Sequence, residues 1–319
     1  MTIIQMLSDD PYYSSSYQEA RTRFVERLGA PSATQWRYEL SCRGPSGEAL
    51  SIDVARLGSQ DATKALVLSS GTHGVEGYFG SAVQLAALHE LQEAVAQDPS
   101  LAVVMIHAVN PYGFAHLRRV NEQNIDLNRN FLLPGERFEG ADPTYASLDG
   151  LLNPTSPPQR GELFWLKALG QIARHGFQAL KSSIAQGQYE FERGLFFGGR
   201  GPSESNELIT QHLPEWLSSA ERVIHIDLHT GLGRWGSYVL ASSEGVPRAE
   251  LSGLLSHFDQ DKVQGLNSSG VLYTIRGEFT YACRQRMSDR QYYPLLAEFG
   301  TYNILRVLSA LRAENRATH

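Results

Sequence analysis

The apolar positions of this chain fall into short runs of two kinds. Some are nearly continuous, as in Ala65-Leu66-Val67-Leu68 and the run from Leu101 to Val109, LAVVMIHAV. A strand covered on both faces reads this way. Others alternate with polar residues. Trp36 to Cys42 and Ala49 to Leu57, separated by Gly44-Pro45-Ser46-Gly47, predict a β-hairpin. Helical spacing marks Ser16 to Leu28, which ends at Gly29, and Ser81 to Leu91. A further helix is expected over about Leu163 to Gln186, strands over Arg222 to Leu228 and Tyr238 to Ala241, and a closing helix from about Tyr292 or Thr301 to Arg312. Leu132 to Glu162 is rich in Pro, Gly, Asp and Ser and reads as a long surface excursion. Strands and helices alternate without repeats, which predicts an α/β fold around one central sheet.

Candidate chemistry sits where these runs end. The strand at Ala65 to Ser69 empties into Ser70-Gly71-Thr72-His73-Gly74-Val75-Glu76-Gly77. His73 and Glu76 are three residues apart, a spacing at which two side chains can converge on one cation. Imidazole and carboxylate are both good zinc ligands. In Val223-Ile224-His225-Ile226-Asp227-Leu228-His229-Thr230-Gly231, period-two geometry places His225, Asp227 and His229 on one strand face. His229, at the C-terminal end, is the candidate third ligand, and Asp227 and Thr230 are candidates for orienting it. A rival cluster uses His225, Asp227 and His229 together and leaves His73 and Glu76 unexplained. Arg118, Arg119 and Arg129 crowd a polar stretch with several amides, and arginine grips carboxylates in bidentate fashion. The glycine-rich Phe196 to Ser203 segment lacks the phosphate-loop spacing and reads as a loop, with Ser203 or Ser205 capping the next helix.

Composition narrows the class. The chain has 319 residues, 42% hydrophobic and 19% charged, enough for a substantial core and incompatible with global disorder. A net charge of −6 argues against a nucleic-acid or anionic-membrane surface. Two distant cysteines, Cys42 and Cys283, make neither a C-x-x-C pair nor a disulfide framework, so a reducing, cytoplasmic setting is expected. Met1 to Asp10 has no basic start and no long apolar run, which predicts no signal peptide. No window is long and apolar enough for a membrane span.

Taken in order, His73-x-x-Glu76, Asn110-Pro111-x-Gly113, Asp126-Leu127-Asn128-Arg129-Asn130-Phe131, Asp227-Leu228-His229 and Glu298-Phe299-Gly300 resemble the motifs of the zinc metallocarboxypeptidase superfamily. That superfamily is carboxypeptidase A-like and also contains the aspartoacylase and succinylglutamate desuccinylase deacylases. The matching pieces run from about Ala65 to Tyr302, and the likeness is greatest to a bacterial-type branch. The resemblance implies a three-layer α/β/α fold with a mixed sheet of about eight strands. It implies one catalytic domain over 1–319, with a helix–hairpin extension at about 1–60. One zinc would be held by His73, Glu76 and His229. Asn128 and Arg129 would dock a substrate carboxylate, and Arg119, or its neighbour Arg118, would face the scissile carbonyl. Glu298 would be the general base and acid, with Glu278 the competing candidate. Val75 stands where the digestive enzymes carry an arginine. Tyr273 and Tyr281 are candidates for a substrate-covering tyrosine, with Arg276 between them as a second anion clamp. The implied activity is hydrolysis of an amide bond beside a free carboxylate, in a small peptide or, as the near alternative, an N-acyl amino acid. A catalytically silent ligand-binding protein on the same fold is the rival of another class.

Overall fold

The computed structural model describes residues 10–29, 33–159, 162–242, 246, 248–264 and 275–319. Ser16 starts the first helix by accepting the Glu19 N–H, an N-cap, and α1 (Tyr17–Leu28) buries Tyr17, Ala20, Phe24 and Leu28 at helical spacing. The expected hairpin follows as β1 (Ala33–Arg43) and β2 (Ala49–Leu57), paired antiparallel. β3 (Lys64–Ser70), α2 (Gly77–Gln97) and β4 (Leu101–His107) form a β-α-β unit with parallel strands. Asn110-Pro111-Tyr112-Gly113 opens a single helical turn. Asn110 accepts the Gly113 N–H at 2.8 Å, and Pro111 opens α3 (Pro111–Ala115).

Three expectations need correction. The supposed excursion contains α4 (Pro143–Leu152), started by Asp142 as N-cap and Pro143 as first residue. The helix expected over Leu163 to Gln186 is two helices, α5 (Phe164–His175) and α6 (Phe177–Ala185). They are divided at Gly176, whose φ of +83° no regular helix tolerates. After α7 (Glu204–Leu217), β5 (Arg222–Leu232), β6 (Tyr238–Ser242), α8 (Arg248–Leu255), β7 (Val263–Gln264) and α9 (Phe279–Arg286), the stretch from Tyr292 is strand, not helix. It lies in β8 (Gln291–Tyr302), and Asn303 then caps α10 (Ile304–Thr318). Pro294 cannot donate inside a helix, whereas Tyr292, Leu295 and Ala297 are all buried in the strand.

The eight strands are hydrogen-bonded in the order β1-β2-β4-β3-β5-β8-β6-β7. The sheet is mixed: β2 meets β4 antiparallel, and β3 meets β5 parallel. The chain divides into two compact units. The first comprises Met1–Glu122, Glu204–Thr230 and Thr280–Ala297; the second comprises Gln123–Ser203, Gly231–Phe279 and Glu298–His319. Within the first unit, β2 shows why helices lie on both faces of the sheet. Ala55 and Leu57 pack in the core under α1 and α2, with Phe24, Leu68, Leu88 and Val103. Between them Arg56 turns the other way. Fully buried, it donates to the carbonyls of Trp216 and Leu217 at the end of α7 and to that of Ser59. The three-layer α/β/α arrangement is thus written into alternate residues of one strand. Among the described residues no helix is long and apolar enough to cross a membrane.

In the second unit, α10 is held through Glu162. Arg312 Nη2 and Nη1 reach the Glu162 carboxylate at 2.7 and 3.0 Å, and Arg316 Nη1 pairs with the same group. The hydrogen bond from Arg312, ahead of the opposing effect of burial and helped by Arg316, lowers the Glu162 carboxyl from an ordinary 4.5 to about 2. A depressed carboxyl stabilises the fold above its unfolded value, and that stabilisation is lost as pH falls toward the folded value. Glu162→Gln should therefore lower the thermal unfolding midpoint at neutral pH. The gap from wild type should shrink as pH drops from 4.5 toward 2, measured by thermal melts across that range.

Candidate metal centre

His73, Glu76 and His229 all belong to the first unit, and parallel pairing of β3 with β5 brings them together. The register places Ser69 opposite Asp227 and Ser70 opposite Leu228; β3 stops there, whereas β5 runs on to Leu232, so His229 lies within its strand, one residue past the last pair, and not at the strand end that the sequence suggested. Beyond β3, Gly71 adopts φ +66° and turns the chain, and His73 precedes a single 3-10 turn, Gly74–Glu76, that leads into α2. The loop is fixed by backbone bonds: Gly74 N–H to Arg119 C=O at 3.1 Å, Val75 N–H to Arg118 C=O at 2.9 Å, and Glu76 N–H to His73 C=O at 3.0 Å. This approach is close enough that a Cβ on Gly74 would lie 2.1 Å from the Gly113 carbonyl carbon.

The three side chains converge through specific atoms. His73 Nδ1 lies 2.9 Å from Glu76 Oε1, His229 Nδ1 lies 3.1 Å from His73 Nδ1, and His229 Nδ1 lies 3.2 Å from Glu76 Oε2. One ligand atom from each residue can be chosen so that all three fall within 4.8 Å of one another, and both imidazoles are buried. The Thr230 N–H donates to Glu76 Oε2 at 3.0 Å. Arg119 is mostly buried, and its Nη1 stands 3.8 Å from Glu76 Oε1; its neighbour Arg118 is also buried.

Asp227 lies behind His229. Its Oδ2 meets His229 Nε2 at 2.6 Å, and its Oδ1 accepts from Ser69 Oγ at 2.6 Å and Thr72 Oγ1 at 3.0 Å. Burial by itself would raise the Asp227 carboxyl, but the His229 ring and the bonds from His229 and Ser69 hold it below its ordinary value. Burial would likewise lower His229; Asp227 and then Glu76 outweigh it and raise the imidazole well above its usual range. Glu76 is depressed because His73 and His229 overcome its own burial. Such a site favours positive charge at the point where the two Nδ1 atoms and the Glu76 oxygens meet. A divalent cation there would take over the charge of the imidazole proton, and two imidazoles with one carboxylate suit zinc. The donor set therefore fits the metal that the sequence implied. His225 does not join it: its Nε2 is 2.9 Å from Ser69 Oγ and its Nδ1 is 2.7 Å from the Tyr292 hydroxyl. Burial pushes its pKa down to about 4, so the ring is neutral.

The other predicted residues lie mostly in the second unit. Asp126 caps the 3-10 turn Leu127–Arg129, and Asn128 Oδ1 accepts the Phe279 N–H at 3.0 Å. Arg129 is fully buried; its Nε and Nη2 donate to Ala185 C=O at 2.9 and 2.6 Å and its Nη1 to Asn128 C=O at 2.8 Å. Asn130 Nδ2 donates to the carbonyls of Gly198 and Gly201, and its Oδ1 accepts the Ser203 N–H. Each polar side chain of the hexapeptide thus bonds to backbone. Arg276 stacks over Tyr189 at 4.5 Å and donates to the carbonyls of Glu139 and Arg137. Glu298 sits within β8, and its Oε1 accepts the Leu232 N–H at 2.7 Å. Glu278 is buried. Tyr281, on α9 in the first unit, is half-buried, and Tyr273 lies outside the described residues. Sequence reasoning missed Ser69, Thr72 and Tyr292. Ser69 ends the apolar run and Thr72 lies in the turn after it, and only the β3–β5 register reveals that both meet Asp227.

The comparisons agree with this architecture. The chain belongs to the DUF2817 family, described as a protein of unknown function, over residues 13–319. Its fold is similar to that of carboxypeptidase A from Helicoverpa armigera. That match has TM-score 0.51 and 15% identity, and covers 96% of this chain and 71% of that one. It is similar in the same way to bovine thrombin-activatable fibrinolysis inhibitor, solved in complex with tick carboxypeptidase inhibitor. There the TM-score is 0.51 and the identity 13%, with 96% of each chain covered. No curated protein sequence matches the chain. The fold is therefore the metallocarboxypeptidase type, as the motifs implied.

The close approach at Gly74 gives a direct test of how the loop is built. Gly74→Ala should destabilise the protein by about 1–3 kcal/mol, because backbone rather than a flexible side chain must move. Val75→Ala, at an exposed neighbour, should stay within about 0.5 kcal/mol of wild type. Urea unfolding midpoints of the two variants check this; equal midpoints would show that the loop yields freely.

Proposed function

We propose that this protein is a zinc-dependent hydrolase that cleaves an amide bond beside a free carboxylate, in the manner of a carboxypeptidase. The observation that carries the reading is the convergence of His73 Nδ1, His229 Nδ1 and the Glu76 carboxylate, with Asp227 holding the far side of His229. The fold supports it. Bound there, one zinc per chain would act as a Lewis acid toward a carbonyl and acidify water. Arg119, in this reading, steadies the charge that develops on the carbonyl oxygen. Glu298 takes a proton from the attacking water and delivers it to the leaving amine; the Leu232 N–H on Oε1 fixes its orientation. Asn128 and Arg129 receive the substrate carboxylate, and for this the Ala185 carbonyl that accepts from Arg129 would give way to the stronger, charged acceptor. Arg276 and a tyrosine, Tyr273 or Tyr281, would complete the substrate contacts. The setting we propose is cytoplasmic, in keeping with two free cysteines.

A panel of short peptides with free or amidated C-termini and of N-acyl amino acids, run with zinc and with chelator, tests the activity. Chelator-sensitive cleavage of the free-acid peptides is expected, with Arg129→Ala losing the preference for free acid over amide. Preference for acyl amino acids would make the protein a deacylase. Zinc binding without any turnover would make it a silent relative. Alanine at His73, Glu76 or His229 should remove most bound zinc by elemental analysis, and full occupancy in His229→Ala would overturn the ligand set.

Glu298→Gln separates base from ligand. The change is nearly isosteric, so the protein should fold and keep its zinc while turnover falls at least about a hundredfold. Zinc lost together with activity would make Glu298 a ligand. Activity within a few fold of wild type would pass the role to Glu278.

A further inference from the structure

Behind the metal centre a chain of buried polar side chains runs across the sheet of the first unit. The Tyr292 hydroxyl on β8 lies 2.7 Å from His225 Nδ1 on β5. His225 Nε2 lies 2.9 Å from Ser69 Oγ on β3, Ser69 Oγ lies 2.6 Å from Asp227 Oδ1, and Asp227 Oδ2 lies 2.6 Å from His229 Nε2. All five residues are 2% exposed or less.

Proton counting gives this chain one direction. A carboxylate only accepts, so the single hydroxyl proton of Ser69 points at Asp227. Ser69 Oγ can then take part in its contact with His225 only as acceptor, which puts the His225 ring proton on Nε2. A neutral imidazole has one N–H, so His225 Nδ1 accepts and the Tyr292 O–H donates. At the other end Asp227 Oδ2 accepts from His229 Nε2–H, and the remaining nitrogen of that ring, Nδ1, is the one that faces His73 and Glu76. Every link in the chain therefore has one assignable donor.

We infer that Ser69, His225 and Tyr292 are positioning residues of the metal site: through Asp227 they lock His229 in the Nε2–H tautomer that presents Nδ1 to a cation. This rests on the metal reading above, which by itself needs only Asp227. Three more polar side chains in series, each out of water, contribute nothing that carbon of the same volume would not supply better unless they hold the carboxylate in place. Partners beyond the ligands commonly set metal affinity by 10- to 100-fold.

The test uses the full chain, labelled with nitrogen-15. In the wild type, imidazole nitrogen shifts should report His225 as a single Nε2–H tautomer with or without zinc, assigned by loss of its signals in His225→Gln. Tyr292→Phe removes the donor to Nδ1 and should turn His225 into a mixture of tautomers while the fold persists. Ser69→Ala should weaken zinc binding by about tenfold in chelator competition, and Ser69→Thr, which restores the hydroxyl, should recover most of it. An Nδ1–H His225 in wild type, or a zinc affinity in Ser69→Ala within twofold of wild type, would overturn the inference. If wild type binds no zinc, the metal reading fails, and the tautomer of His225 in the metal-free protein still decides the chain.

Discussion

The site depends on the parallel register between β3 and β5. Because β3 ends opposite Leu228 while β5 continues, the His73–Glu76 turn comes to lie beside His229, although Glu76 and His229 are 153 positions apart in sequence. One residue of slip would send His225, Asp227 and His229 to the opposite face and dissolve both the ligand set and its support. The same pairing sets Ser69 against Asp227. The candidate metal-binding side chains, the carboxylate behind them and the hydroxyl behind that are all consequences of one ladder of backbone hydrogen bonds.

Electrostatics then shapes what the ladder assembles. Glu76 and Asp227 press on His229 from either side, and both carboxyls are depressed although burial works against them. One buried and one mostly buried carboxylate around one imidazole are stable only if positive charge sits among them. A proton on His229 can serve, and so can a divalent cation. His225, four residues earlier on the same strand, faces no such pair; burial dominates there, and the ring stays neutral.

Much of this was legible in the residues and some was not. The end of β3 before His73 could be read because a near-continuous apolar run stops abruptly at a polar, glycine-rich turn; the end of β5 reads too early in the sequence, because Thr230 and Gly231 resemble a turn although the strand runs on to Leu232. The order of the motifs carried the fold class, which the structural comparison bears out. The role of Ser69 was not readable, because it depends on a long-range register and serine is common in strands. Tyr292 was misplaced for a related reason. An aromatic pair before Pro294 resembles a helix start as much as a strand, and the buried His225 that the Tyr292 hydroxyl meets is invisible to local pattern. The burial of Arg129 was equally hidden. Sequence reports a cation among amides, and only tertiary structure reveals the Ala185 carbonyl that takes its donors.

The two imidazoles meet through Nδ1, the ring nitrogen nearer the main chain. That geometry decides which substitutes could stand in their place. A donor one or two bonds past Cβ, such as the sulfur of cysteine or an oxygen of aspartate, reaches roughly where Nδ1 lies. Glutamine or glutamate would overshoot it. The centre is therefore open to redesign by short side chains: cysteine at 73 or 229 would favour softer, thiophilic metals, and aspartate harder ones. The short reach also ties these donor atoms closely to the strand and turn that bear them, so the donor chemistry of the cluster can be changed without rebuilding its backbone.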